Sequence, residues 1–119
     1  MTIRYAQAQR IMHHVPVTIP MIERAKAVIA QARLGAQPER QRALEAAKII
    51  RDAQLQRNHD GLSGIDLEPA RRVVITLVAG SRVTIHECIE AVRCLEREAR
   101  RLYEALLSPS ERAEELVHA

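Results

Sequence analysis

The segment from residue 84 to about residue 107 has the pattern of a long amphipathic helix. Thr84 and Glu87 match a capping box, in which the hydroxyl accepts a hydrogen bond from the third backbone N–H and the carboxylate reaches back. Behind this cap, apolar residues recur at spacings of three and four: Ile85, Cys88, Val92, Leu95, Ala99, Leu102 and Leu106. We expect this helix to bury one face, either within the chain or against a second copy in a homodimer.

Proline and glycine divide the rest of the chain into further helical segments. Apolar residues at helical spacing predict three of them, over about residues 2–14, 18–34 and 38–57, and a capping box with proline at the first helical position predicts a fourth from residue 108 onward. Thr18 suits the N-cap of the second segment, and Gly35 suits its end. The short connection from Gly35 to Pro38 predicts that the flanking helices pair as an antiparallel hairpin.

Residues 71–87 admit two interpretations. Their β-branched residues and the turn at Gly80 would suit a β-hairpin. The same region also has apolar residues at i, i+3, i+4, i+7 and i+8 of a helix, namely Ala70, Val73, Val74, Leu77 and Val78. We expect a helix with Asp66 as its N-cap that ends at Gly80. The whole chain, residues 1–119, is then a single all-α domain, a compact five- or six-helix bundle built from antiparallel helix hairpins.

The composition excludes a disordered chain and restricts the core to small and aliphatic side chains. The 119 residues are 47% hydrophobic and 28% charged, with no Phe and no Trp. Sixteen Arg against two Lys indicate a GC-rich bacterial genome or one of its mobile elements. The net charge is +6 over residues 1–57, from ten basic and four acidic groups, and −3 over the remainder, from eight and eleven. This asymmetry is too small to indicate nucleic-acid binding by itself.

Cys88 and Cys94 indicate a reducing cytoplasmic location. Six residues apart on one helix, they point to different faces and cannot pair with each other. The first ten residues have no apolar stretch typical of a signal peptide, and no apolar run approaches the roughly 20 residues needed to span a membrane. Cys88 lies on the apolar stripe, whereas we expect Cys94 on the opposite, more exposed side.

The sequence contains no pattern that indicates catalysis. His86 and Glu87 start a match to the H-E-x-x-H helix of zinc hydrolases, but Glu90 replaces the second histidine and no third ligand follows at a suitable spacing. His13 and His14 are helix neighbours that point apart. Nearly every Glu has an Arg three or four positions away, which predicts surface ion pairs. We therefore expect no catalytic residue, metal ligand, cofactor or small-molecule substrate, and no enzymatic function.

One side of the segment over residues 38–57 has the composition of a protein-binding surface. Opposite its alanine-rich side lie two leucines and three cations: Arg40, Leu44, Lys48, Arg51 and Leu55. Arginine beside apolar anchors is typical of interface hot spots. The alternative is that Leu44 and Leu55 pack against another helix of the bundle. We expect a non-catalytic adaptor, inhibitor or regulatory protein that binds a protein partner through this side.

A dimeric helix-turn-helix regulator that binds DNA is the alternative function. Two helices joined by a turn at Gly80 have the required order, with basic residues available for phosphates at Arg71, Arg72, Arg82 and Arg93. Glu87 and Glu90, however, lie at the start of the second helix, where a DNA reader would present them to phosphates. A protein partner is therefore favoured over nucleic acid.

Overall fold

The computed structural model describes residues 16–107, and every regular element in that range is helical. The elements are α1 (Ile19–Arg33), α2 (Arg40–His59), a 3₁₀ helix (Gly64–Leu67), α3 (Glu68–Val78) and α4 (Ile85–Leu106). The all-α prediction is confirmed, and residues 71–87 form parts of two helices and not a β-hairpin. The helices predicted over residues 2–14 and from residue 108 lie outside the described residues, so the five- or six-helix count stays a prediction.

None of the helices between residues 16 and 107 is both long and apolar enough to cross a membrane.

The ends of the helices follow the capping residues of the sequence. The Thr18 hydroxyl accepts a hydrogen bond from the Met21 N–H at the start of α1. Gly35 and Gly80 have φ angles of +88° and +74°, in the left-handed region where glycine meets no Cβ penalty, and each follows the end of a helix. The capping box predicted at α4 is confirmed: Glu87 N–H donates to the Thr84 hydroxyl, and Thr84 N–H to the Glu87 carboxylate, each at 3.1 Å.

The predicted start of α3 at Asp66 is wrong. Ser63 instead caps the 3₁₀ helix, its hydroxyl accepting from the Ile65 N–H at 3.2 Å. Asp66 lies inside that turn, and α3 begins two residues later at Glu68. Pro69 then falls in the first turn of α3, where its missing N–H leaves no intrahelical bond unmade.

The four α-helices pack in a ring, each against two neighbours. α1 packs against α2 and α4, and α3 packs against the same two helices from the other side. Alanines at these contacts are almost fully buried and allow the helices to approach closely: Ala25, Ala43, Ala46, Ala53, Ala70 and Ala91. Larger buried residues, among them Ile22, Ile50 and Leu95, fill the interior. The ring leaves the outward sides of α2 and α3 uncovered by any other described helix.

The buried face of α4 is rotated relative to the predicted heptad stripe. Cys88 and Leu95 are buried as predicted, but Ile85 and Leu106 at the two ends are exposed. Two residues that the heptad pattern leaves outside, Cys94 and Glu98, are buried instead. The cause is that α4 packs against α1 on one side and against α3 and the 3₁₀ helix on the other. Its buried arc is therefore wider than a single seam.

Candidate functional site

The side of α2 predicted to bind a partner is exposed to solvent. Ala43, Ala46, Ile50 and Ala53 turn into the core, which directs the opposite side of the helix outward. Leu44 is 42% exposed and Leu55 is 50% exposed, so neither leucine is packed into the core formed by the described helices. The three cations of this side are exposed as well: Arg40, Lys48 and Arg51.

This exposed side continues across a groove onto the 3₁₀ helix and α3. At one end the groove is lined by Arg51 and Leu55 of α2 and by Ile65 and Arg71 from across it. Ile65, at 71% exposure, was not identified from the sequence as a candidate site residue, because its neighbours give no helical stripe. The groove thus has apolar and cationic side chains on both of its walls.

A second groove between the same two helices lies near the other end of α2. It is lined by Pro38 and Arg40 on one side and by Leu77 and Val78 on the other. Ile75, 46% exposed, lies between Arg71 and Val78 on one stripe of α3, since these positions are separated by four and three residues. We call the whole surface the basic apolar face and define it by eight residues: Arg40, Leu44, Lys48, Arg51, Leu55, Ile65, Arg71 and Ile75.

The basic apolar face has an excess of positive charge. Arg71 is paired with Glu68, with 2.8 Å between Nη1 and Oε1, and the Arg51 guanidinium lies 3.7 Å from the Asp52 carboxylate. Within the described part of the chain, Arg40 and Lys48 form no ion pair. The basic apolar face therefore has four cations and only two carboxylates paired with them. This excess of positive charge suits a negatively charged partner.

A buried ionic cluster at one end of the bundle was missed by sequence analysis. The Arg57 guanidinium donates to Glu98 of α4, to Asp66 of the 3₁₀ helix and to the Ser63 carbonyl. Arg101 also donates to Glu98, and this hydrogen bond raises the pKa of Arg101 above its usual value. Glu98 was expected in a surface ion pair, but its side chain is only 1% exposed.

The buried cluster has the features of a structural element and not of a reaction site. Every buried side-chain nitrogen and oxygen among the described residues has a hydrogen-bond partner. Glu98 is closed to solvent and held by two guanidinium groups, so it has no free position toward a substrate. No sequence pattern identifies Arg57 as a buried residue, because its partners lie on segments that only the fold brings together.

The four arginines of the DNA-binding alternative have different surroundings. Arg71 belongs to the groove facing α2, whereas Arg72 lines a pocket between α3 and α4. Arg93 lies on α4 with its Nη1 3.6 Å from the Glu90 carboxylate, and Arg82 is exposed in the connection before α4. The connection between the two helices, residues 79–84, is longer than the three or four residues of a helix-turn-helix.

The pocket beside Arg72 is lined by the acidic start of α4. His86, Glu87 and Glu90 contribute to it, together with Pro69 and Val73. The hydrogen bond from the Thr84 backbone N–H lowers the pKa of Glu87, and the Thr84 side chain adds to this effect. Glu87 is therefore held in its charged form, which disfavours a phosphate at this position. Between residues 16 and 107, no three His, Cys, Asp or Glu side chains are placed to hold a metal ion.

Both cysteines are free and buried. The prediction of a more exposed Cys94 is wrong, because the wide buried arc of α4 includes it. Burial raises the pKa of both thiols, and for Cys94 a hydrogen bond with the Ala70 backbone only partly offsets this. The raised pKa disfavours the thiolate, which is the nucleophilic form.

Comparison with protein-family models, with curated proteins and with solved structures finds no match to this chain.

Proposed function

We propose that this protein is a non-catalytic helical adaptor, inhibitor or regulatory protein that binds a protein partner through its basic apolar face. The observation that carries the proposal is the grouping of exposed apolar residues. Nine large apolar side chains are exposed among the described residues, and four of them, Leu44, Leu55, Ile65 and Ile75, lie on this face. Exposed apolar residues that cluster beside cations are typical of an interaction surface, whereas scattered ones are ordinary.

Binding would gain its free energy from burial of the leucines and its specificity from the arginines. Full burial of an exposed leucine contributes about 1.5–3 kcal/mol, and Leu44 and Leu55 are each about half exposed before binding. Arg51 can donate several hydrogen bonds in a fixed geometry, which orients a partner. This mechanism requires no turnover and no cofactor.

The experiment that tests the proposal combines a substitution on the face with a matched substitution elsewhere. L44A/R51A removes one apolar anchor and one cation of the face. R33A/L34A removes the same residue types at the end of α1, where Leu34 is 87% exposed. We expect wild type and R33A/L34A to capture the same protein from the source organism, identified by mass spectrometry, and L44A/R51A to lose it.

Circular dichroism of L44A/R51A shows whether Leu44 and Arg51 are surface residues or are needed for folding. A helical spectrum and an unchanged unfolding midpoint are expected, because both side chains are exposed. Unfolding of this variant, or capture that is unaffected by it, would contradict the proposal.

DNA binding by a dimeric regulator is the competing function. The separation of Arg71 from Arg72 and the charged Glu87 at the start of α4 favour a protein partner over it. A mobility-shift assay with duplex DNA at low salt tests the alternative, since phosphate contacts weaken steeply with added salt. Sedimentation of the purified protein tests the dimer that such a regulator requires.

The proposal includes a bacterial cytoplasmic location. The two free thiols, Cys88 and Cys94, support a reducing compartment, and the strong preference for Arg over Lys supports a GC-rich genome. Immunodetection in fractionated cells of the source organism tests the location.

A further inference from the structure

We infer that the partner segment is an acidic amphipathic helix that lies lengthwise between α2 and α3, contacting both walls of the basic apolar face. The inference rests on the proposed function and deepens it by giving the chemistry of the partner. It concerns a surface wider than the side of α2 alone.

The dimensions of the face suit a helix of about four turns. Arg40 and Leu55 are fifteen positions apart on α2, which corresponds to about 22 Å along the helix axis. The grooves at the two ends lie between the same two helices, so one straight occupant can reach both. Val78, half-buried beside the core, gives the groove near Arg40 an apolar lining.

The apolar residues form two rows that match the stripe of an amphipathic helix. Leu44 and Leu55 lie on α2, and Ile65 and Ile75 lie across from them on the 3₁₀ helix and α3. A helix with apolar residues at i, i+3, i+4 and i+7 would place its stripe between these rows. The same occupant would present its polar flanks to the cations.

The cations determine the charge of the occupant. Arg40 and Arg51 line the grooves from the α2 side, and Arg71 lies on the opposite wall. Lys48 is exposed on the same side of α2 as the two leucines. Acidic residues on both flanks of the bound helix would complement them. Pairing of this face with the same face of a second copy is disfavoured, because it would bring cations against cations. A phosphate backbone is a poor occupant, because it would leave the four apolar side chains without apolar contacts.

The test uses a displayed library of random peptides of about 18 residues, enough for a helix longer than the face. Peptides are selected on the wild-type protein and then measured against three variants. R51E/R71E reverses a cation on each wall, and L44A/L55A removes both leucines. R33E/R82E, the matched control, makes the same charge change at exposed arginines outside the face.

We expect the selected peptides to be net negative, with apolar residues at helical spacing. They should bind the wild type and R33E/R82E equally and bind R51E/R71E roughly tenfold or more weakly. Binding to L44A/L55A should also be weaker. Circular dichroism checks each fold, and R51Q/R71Q replaces R51E/R71E if charge reversal unfolds the protein.

The outcomes of this test distinguish failure of the inference from failure of the proposed function. Neutral or basic peptides that need the leucines but not the arginines would overturn the acidic helix and leave a protein-binding role standing. Peptides whose binding depends on neither set would overturn both. Duplex DNA or anionic lipid vesicles that bind through Arg51 and Arg71 more tightly than any selected peptide would also overturn the inference.

Discussion

Arg57 and Glu98 form an ion pair inside the protein although they lie 41 positions apart in the chain, with 3.1 Å between Nη1 and Oε1. Arg57 belongs to α2 and Glu98 to α4, which stand at opposite corners of the helix ring. Their side chains are 10% and 1% exposed. The pair therefore joins two helices that share little other packing.

Replacement of Glu98 by alanine should destabilise the fold strongly. The change removes the carboxylate that Arg57 and Arg101 share, but Asp66 and the Ser63 carbonyl still accept from Arg57, so the cost should be about 3 kcal/mol, the lower end of the range for a broken buried pair. E98Q should lose less, because its amide oxygen can still accept from Arg57. Denaturant unfolding measures the loss of unfolding free energy for both variants. E96A, an exposed change half a helical turn away, is the control, and equal midpoints for E98A and E96A would refute the buried role.

Loss of the Thr84 hydroxyl should weaken the start of α4. T84A removes the acceptor of the Glu87 N–H and should lower the free energy of unfolding by about 0.5–2 kcal/mol. S81A, three residues earlier in the exposed connection, should change it by less than about 0.5 kcal/mol. Thermal unfolding that ranks S81A as the more damaging change would show that the cap is unimportant.

The Glu87 carboxylate should make stability depend on pH in the acid range. The Thr84 backbone N–H lowers the pKa of Glu87 from 4.5, so the unfolded state binds this proton first as the pH falls. The stabilisation is present above pH 4.5 and is lost as the pH falls through the folded pKa. E87Q should be less stable than wild type at neutral pH and should approach it in acid. Unfolding curves that stay parallel over the whole range would contradict this.

The rate at which a thiol reagent modifies Cys88 and Cys94 should depend on opening of the fold. Burial raises the pKa of Cys88 and Cys94 above 9.0, so a thiol reagent should modify the native protein far more slowly than the unfolded chain. The folded state keeps its protons longer, so stability should decline as the pH rises above 9.0 through the folded pKa values. S81C supplies an exposed thiol as the control. Native Cys88 and Cys94 that react as fast as S81C would exclude the buried placement.

The alanines of the core should not accept larger residues. Ala25 is fully buried in α1, and A25L should cost about 1–3 kcal/mol because the helices around it are in close contact. Ala27, two positions along the same helix, is exposed, and A27L should change stability by less than about 0.5 kcal/mol. Chemical denaturation of the two variants side by side gives the comparison, and similar midpoints would mean that the interface is loose.

The local features of the fold could be predicted from sequence, whereas the neighbours of each helix could not. The Thr84 capping box and the stop at Gly80 depend on residues a few positions apart, and both are as expected. The burial of Cys94 and Glu98 was predicted wrongly. A heptad pattern places the buried residues along a single line of contact with one neighbouring helix, whereas α4 packs against neighbours on two sides. The prediction that Asp66 is the N-cap of α3 is wrong for a related reason. Its carboxylate pairs with Arg57 of another helix and does not cap α3.

The sequence predicts only one of the two walls of the candidate site, the wall formed by α2. Arg40, Leu44, Lys48, Arg51 and Leu55 share one stripe of α2, so their spacing alone groups them. Ile65, Arg71 and Ile75 join them only because α3 packs beside α2, a tertiary contact that helical spacing does not encode.

Apolar contacts, such as those between α3 and α4, have no preferred direction, whereas a hydrogen bond does. The buried apolar residues of α3 and α4 recur at spacings of three and four, so a slip of one helical turn, about 5.4 Å, would still set apolar residues against apolar residues. The same slip would move Glu98 away from Arg57 and break a hydrogen bond between two buried side chains. The Arg57–Glu98 contact therefore adds a directional constraint on the position of α4 to the constraint that apolar packing supplies.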